Sequence, residues 1–120
     1  MGALTDEMRR IVDQLRAAGI RATDDPRQLN LPCVIVGPPS ISELDTGSSG
    51  LAMITAYVVG MPPGNLASWR SIDDLAEAVG RVCDVESIAP VQYQHEAGKD
   101  PLPALQLTWT RQITWPSEPE

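Results

Sequence analysis

The segment that most constrains this chain is the alternating run ALQLTWTRQITW at residues 104–115. In an extended chain, Leu105, Leu107 and Trp109 point to one side, and the Gln and Thr residues between them point to the other. Twelve residues at about 3.3 Å each predict a strand of about 40 Å, whereas a compact domain of this length has a diameter of about 35 Å. The strand must therefore span the molecule, and the fold must be organised around a β-sheet.

Length and charge narrow the class of protein. A chain of 120 residues has the size of one domain, which we expect over residues 1–115, followed by a disordered tail at 116–120. The formal net charge of −7 and the pI of about 4.5 argue against a protein that grips nucleic acid, which needs a basic surface. No run approaches the ~20 apolar residues of a membrane span, and the first residues do not resemble a signal peptide. We therefore expect a protein made in the cytosol, with no membrane partner.

Hydrophobic periodicity predicts two helices. The first covers residues 5–19, with Thr5 as its N-cap and Gly19 as its left-handed stop. The second covers residues 72–83, where Ser71 begins a pattern that resembles a capping box. Both helices are expected to cover one face of the sheet.

Shorter apolar runs predict the remaining strands. These are a short strand at residues 20–23, a strand covered on both faces at 33–36, a strand at 51–60 and a strand at 87–94. Pro90 lacks an amide hydrogen, so it places the last of these at a sheet edge or at a bulge. Residues 41–50, rich in Gly and Ser, are expected to form a protruding loop. The order of elements predicts an α+β fold with a mainly antiparallel or mixed sheet.

No arrangement of residues in the sequence points to catalysis. The single histidine, His95, lies in a polar turn, and Cys33 and Cys83 lack the spacing of a zinc site. We therefore expect two buried, reduced thiols and no metal. Glycine-rich phosphate-binding patterns are missing, and the carboxylates at residues 73–77 lie near a helix start, where the helix dipole favours acids. We expect neither enzyme activity nor a cofactor.

A single charge, Arg111, lies on the apolar side of the long strand. An arginine that points into a core needs a buried partner and is costly. One interpretation places its stem over Trp109 or Trp115 and its head in solvent. The other brings the distal half of the strand against another subunit, whose loop supplies acidic partners, since Arg and Trp are favoured at interface centres. The candidates for a subunit interface or a lumen are Glu43, Asp45, Ser48, Ser49, Trp109, Arg111 and Trp115.

The order of these elements resembles a known family. The residues MRRIVDQLRAAGIRATDDPRQLNLPCVIVGPPS are followed by a strand, MPPGN, SIDDLAEAV, a further strand and the alternating strand. This pattern resembles the tail terminator proteins of long-tailed phages, in particular those of phages that infect actinobacteria, over most of the chain. The stretch AAGIRATDDPRQLNLPCVIVGPP is the main basis of the resemblance, and its residues set a fold rather than a reaction.

The resemblance implies an α+β fold with a mixed or antiparallel sheet flanked by helices. It also implies a structural protein of the virion: a homohexameric ring at the head-proximal end of the tail tube, assembled in the host cytoplasm. Such a ring ends polymerisation of the major tail tube protein, docks to the head–tail connector or stopper protein, and lets DNA pass through its lumen without sequence-specific binding. The alternatives are another head–tail connector (a neck or stopper protein) and a small binding module unrelated to phages.

Overall fold

The structure is a computed structural model that describes residues 2–25, 27, 31–44, 49–61, 65–94 and 100–114. Its elements in chain order are α1 (Ala3–Ala17), β1 (Ala22–Thr23), β2 (Cys33–Val36), β3 (Ser40–Leu44), β4 (Ser49–Val59), α2 (Leu66–Val82), β5 (Ser87–Tyr93) and β6 (Leu102–Thr114). Two helices and one mixed sheet of six strands confirm the predicted α+β class.

The long alternating strand, β6, organises the sheet. The hydrogen-bonded order is β1-β2-β4-β6-β5, and β3 pairs with β4. β6 runs antiparallel to β4 from the pair Ser49–Thr114 to the pair Val59–Ala104, whereas β1 and β2 are parallel. β5 lies at the edge, as Pro90 predicts. At about 3.3 Å per residue β6 extends for about 43 Å, close to the longest dimension of the molecule, 48 Å.

Both helices pack on the same face of the sheet and enclose the main core. Alternate strand residues, including Ile54 of β4 and Leu107 of β6, are fully buried beneath them. Each such side chain contributes about 2 kcal/mol by leaving water. A second, smaller cluster on the opposite face includes Cys33, Val59 and Ala104. All four residues of β2 are buried, which confirms that this strand is covered on both faces.

Helix α1 begins earlier than its sequence pattern indicates. Gly2 is the N-cap residue and has no side chain that could bond the free amides. The predicted cap, Thr5, lies inside the first turn, and its hydroxyl donates to the Gly2 carbonyl oxygen at 2.9 Å. The helix extends to Ala3 and Leu4 because both are good helix formers. The predicted stop is confirmed: Gly19 has a φ of 82°, which a side chain would disfavour.

The predicted start of helix α2 was wrong. Asn65 is the N-cap, and its side-chain oxygen accepts hydrogen bonds from the backbone N–H of Ser68 at 3.0 Å and from the hydroxyl of Ser68 at 3.2 Å. Ser71, the predicted cap, lies within the helix, where its hydroxyl donates to the carbonyl oxygen of Ala67 at 3.2 Å. The earlier start adds the turn from which Trp69 packs against the main core. Both Asn65 and Ser71 could cap the helix locally, and the burial of Trp69 favours the start at Asn65.

Part of the segment expected to be a loop, residues 41–50, is a β-hairpin. β3 and the beginning of β4 are antiparallel and pair up to Leu44 and Gly50, while β6 pairs with the other side of β4. The Gly- and Ser-rich composition concealed these strands, because composition does not show that partner backbones are available. Residues 45–48 and the predicted tail lie outside the described residues.

Candidate interaction surface

Arg111 lies on the helix side of β6, as the alternation of the strand predicts. Trp109, two residues earlier, belongs to the main core, and residues two apart in a strand share a face. The Arg111 side chain is 48% exposed, and its Nε lies 3.0 Å from Oε2 of Glu7. The partner of this charge is therefore a carboxylate of the same chain, on helix α1.

Glu7 is held against the sheet by the same spacing that buries the apolar side chains of α1. It precedes Ile11 by four residues and Leu15 by eight, so the three share one face of the helix. Glu7 is only 6% exposed. A buried carboxylate is costly unless it is paired and hydrogen-bonded, so its stability in this position depends on its partners.

Two arginines share the Glu7 carboxylate. Arg10 donates from Nε to Oε1 at 2.6 Å and from Nη2 to Oε2 at 3.1 Å, a bidentate pair of the strong, charge-assisted kind. Arg111 approaches Oε2 from β6. Arg10 also donates from Nη1 to Gln14 Oε1 at 2.9 Å, and the Gln14 amide donates to the Val82 carbonyl oxygen at 3.4 Å. This chain of contacts connects α1, α2 and β6.

An open groove of about 500 Å³ lies along these contacts, between the start of α1 and the end of β6. The charged residues that line it are Asp6, Glu7, Arg10 and Arg111, two acids and two bases. The described residues that line the groove are therefore neutral in total formal charge, although the chain as a whole has a net charge of −7.

The two cysteines lie on opposite faces of the sheet. Cys83 belongs to the main core and Cys33 to the smaller cluster, and both thiols are buried with no disulfide between them. Burial raises the pKa of the Cys83 thiol, against the opposing effect of the nearby Arg10 charge. The protonated thiol is the less reactive form. Two buried thiols were predicted, and the structure agrees.

A second carboxylate, Glu86, completes the hydrogen bonding where β5 begins. The Glu86 backbone N–H donates to the Thr108 carbonyl oxygen at 2.8 Å. Its carboxylate accepts from the backbone N–H of Thr110 at 3.0 Å and from the Thr110 hydroxyl at 2.8 Å. These hydrogen bonds lower the pKa of Glu86, because they stabilise its ionised form. The Glu86 carboxylate thus accepts the backbone hydrogen bond of Thr110 that a further residue of β5 would otherwise accept.

The residues predicted to form contacts differ in what the structure shows of them. Trp109 is 5% exposed and belongs to the main core, whereas Arg111 is half exposed and paired with Glu7. Glu43 lies within β3 and Ser49 begins β4, but their side chains are not among those described. The other candidates lie outside the described residues: Asp45, Ser48 and Trp115.

Two segments that the sequence separates meet at one end of the sheet. The register pairs Ser49 with Thr114 and Leu51 with Gln112, and it pairs Glu43 with Leu51 on the other side. The β3–β4 hairpin and the end of β6 are therefore neighbouring strands. The start of α1 lines the groove beside the end of β6, so α1, β6 and the β3–β4 pair lie at the same end of the sheet.

Sequence reasoning missed Glu7, Arg10 and Glu86 as parts of this surface. A signal for Glu7 was present, because it interrupts the apolar stripe of α1 just as Arg111 interrupts the apolar face of β6. Two opposite charges that each break a pattern predict a mutual pair. No comparable signal exists for Glu86, whose contact depends on the register between β5 and β6.

Within the described ranges, no three His, Cys, Asp or Glu side chains are grouped so that they could hold a metal ion. Neither helix in this part of the chain combines the length and the apolar character needed to cross a bilayer. His95 lies outside the described residues.

A scan of the chain against models of protein families found no match. A search of curated proteins also found none.

Proposed function

We propose that this chain is a tail terminator of a long-tailed phage. In this role it is a structural subunit of a hexameric ring that caps the head-proximal end of the tail tube and ends tube polymerisation. The ring docks to the head–tail connector, and DNA passes through its lumen. The proposal is supported by the resemblance of residues 17–39 to that family, whose implied α+β fold agrees with the observed class.

The main structural support is a ribbon of strands that extends beyond the rest of the sheet. The β5–β6 ladder stops at the pair Ser87–Thr108, whereas the β4–β6 ladder continues to Ser49–Thr114. In a closed ring each contact joins two different surfaces of neighbouring subunits. A projecting ribbon with an open groove beside it suits such a contact, and Arg111 lies at its base.

The charge of the chain is compatible with passage of DNA. Six copies of a chain with a net charge of −7 form a strongly acidic ring. Acidic side chains that face a lumen repel phosphates, so DNA slides without sticking. Glu43, in β3, and Asp45, which follows β3 in the sequence, are the first candidates for this lining.

Electron microscopy with purified tail tube protein tests the proposal. We expect annuli of the protein, either free or on one end of each tube, and tubes that stop growing when the protein is added. Tubes that grow unchecked, with no density added at their ends, would contradict the function.

Arg111→Ala is the variant that examines the interface in the same assay. It should weaken assembly more than folding, because Arg10 still holds the Glu7 carboxylate. Arg81→Ala, whose side chain is 75% exposed on α2, is the matched control and should assemble normally. If Arg111→Ala instead loses several kcal/mol of monomer stability, the charge serves its own subunit and the interface role is wrong.

A further inference from the structure

Among the described residues, the sheet face opposite the helices has a continuous area without charged side chains. Val59 and Ala104 lie in the cluster on this face, and alternation along each strand places every second residue beside them. Register aligns Thr55 with Thr108, Met53 with Thr110, and Ser87 with Thr108. We call the following six residues the outer patch: Met53, Thr55, Ser87, Gln106, Thr108 and Thr110. Each is partly or fully exposed.

The absence of charge in the outer patch contrasts with the rest of the molecule. Charged residues make up 21% of the chain, and both helices bear acids and bases on their exposed sides. Near the patch, the acids stand at its borders. Glu86 binds Thr110 at the β5 side, and Glu43 pairs in register with Leu51 at the β3 side. Depletion of charged residues at the centre is one feature of protein interfaces.

Several edges of the sheet are protected against the addition of another strand, although β6 continues beyond its last β5 pair, at Thr108, to Thr114. β1 has only two residues, β3 has a register shift between Ile41 and Glu43, and β5 contains Pro90. The Glu86 carboxylate occupies the N–H of Thr110 where β5 stops. Short strands, bulges, prolines and charges are the devices that block edge pairing, whereas the outer patch has no charge that would block contact through the face.

We propose that the outer patch is the surface through which a second copy of this chain binds. Two copies that each have a net charge of −7 repel one another. Contact through a surface without acids avoids juxtaposing like charges, which is the costly part of such an association. The choice of a second copy as partner rests on the proposed ring, in which every subunit touches two others.

The size of the outer patch indicates how strong one such contact is. From the spacing of strands and residues, the patch measures roughly 15 Å by 20 Å, or about 300 Å². A standard interface buries about 800 Å² on each partner. A single contact is therefore weak, and it becomes stable when a ring gives each subunit two contacts at once. The purified protein should accordingly associate only at high concentration.

Sedimentation equilibrium and small-angle X-ray scattering, at concentrations up to about 1 mM, test this proposal. The variants are Met53→Glu and Gln106→Glu, each of which adds one acid to the outer patch. Gly80→Glu is the matched control: Gly80 is exposed on α2, and a Cβ there meets nothing within 4 Å. We expect the wild type and the control to associate alike, and both patch variants to dissociate at least about tenfold more readily.

Three results would overturn the proposal, provided that thermal unfolding shows all variants to be folded. The first is a wild type that stays monomeric throughout, since the patch then serves another partner or none. The second is association of both patch variants at the wild-type level. The third is a loss of association in Gly80→Glu equal to that in the patch variants, because net charge rather than the patch would then govern association.

The test separates this inference from the proposed function. If the wild type and both patch variants form the same annuli, the outer patch is not the contact, and the proposed ring function is unaffected. If the patch variants abolish self-association but the wild type forms only dimers and never caps a tube, the patch is a contact surface and the terminator function fails.

Discussion

At the residue scale, the position of Glu7 shows how a charge is accommodated in an apolar layer. Its carboxylate is nearly buried, yet both partners, Arg10 and Arg111, keep part of their side chains in solvent, at 38% and 48% exposure. The guanidinium groups of both arginines contact the carboxylate, while part of each arginine side chain stays hydrated. This arrangement reduces the desolvation cost that a fully buried ion pair would incur.

Removal of the Glu7 charge should therefore destabilise the protein measurably. We expect Glu7→Gln to lower the free energy of unfolding by about 2 kcal/mol, because two arginines lose a charged acceptor at once. Chemical denaturation measures the change. Asp13→Asn, which removes an exposed acid 3.9 Å from Arg9, is the control and should cost less than about 0.5 kcal/mol. Similar losses in both variants would show that Glu7 has no special role.

At the element scale, two residues are candidates for the N-cap of α2: Asn65 and Ser71. Asn65 bonds the free amide of Ser68, while Ser71 bonds backwards to a carbonyl oxygen in the helix. Both residues satisfy the local rules for a helix start. The longer helix exists because its first turns also pack Trp69 against the core.

The two candidate caps can be distinguished by alanine substitution. Asn65→Ala should reduce the free energy of unfolding by about 1 kcal/mol, since the cap accepts the hydrogen bond of an orphan amide. Ser71→Ala should change it by less than about 0.5 kcal/mol, because alanine is the better helix former in a helix interior. Thermal or chemical unfolding of the two variants measures the difference. A larger loss in Ser71→Ala would mean that the helix begins where the sequence pattern suggested.

The contact between β5 and β6 through Glu86 should make stability depend on pH. Because the pKa of Glu86 is lower in the folded protein than its ordinary 4.5, its contribution is complete above about pH 4.5 and is lost as the pH falls through the folded value. The melting temperature of the wild type should exceed that of Glu86→Gln at pH 7, and this difference should shrink as the pH falls below about 4.5.

Thr110→Val provides the matched variant for this pH dependence. It removes the hydroxyl that donates to Glu86 but keeps the backbone N–H. In the Thr110→Val background, Glu86→Gln should therefore lower the melting temperature by less than it does in the wild type. An advantage of the wild type over Glu86→Gln that stays constant from pH 7 to pH 3 would contradict the hydrogen-bonded, ionised Glu86.

At the scale of the whole molecule, the distribution of charge should govern any contact between copies of the chain. Among the described residues, the acids lie on the helices, in connecting segments and at the sheet borders, and the outer patch has none. The groove beside Arg111 is a different kind of surface, with acids and bases in equal number. Contacts through these two surfaces respond to salt in opposite directions.

Ionic strength should therefore identify the contact in any assembly that forms. If copies meet through the outer patch, sedimentation should show stronger association as sodium chloride rises from about 0.05 M to 0.5 M, because salt screens the repulsion between acidic chains. If Arg111 pairs with Glu43 or Asp45 of a neighbour, the same change should weaken association. Association that falls with salt in the wild type but not in Arg111→Ala would favour the ion pair over the outer patch.

The fold could be predicted from the sequence to the extent that local rules determine it. The class, the number of helices, the edge position of the strand that contains Pro90 and the stop at Gly19 were all predicted correctly. The β3–β4 hairpin was not, because a Gly- and Ser-rich segment becomes a strand only where other strands offer backbone partners. Near Arg111, the sequence indicated that this residue lies on the apolar face of the strand, but it did not indicate that Glu7 is its partner.

The sequence by itself determined which way each side chain of the long strand points, because alternation follows from extended backbone geometry alone. It likewise determined that residue 19 ends a helix, since only glycine adopts that conformation without strain. Only the tertiary structure decided that Glu7 and Arg111, more than a hundred residues apart, share one hydrogen-bonded contact. Only it decided that, among the described residues, the helices cover one sheet face and leave part of the other exposed. Both depend on how helices and strands stack, and the energies that select a stacking arrangement come from contacts between distant residues rather than from local sequence.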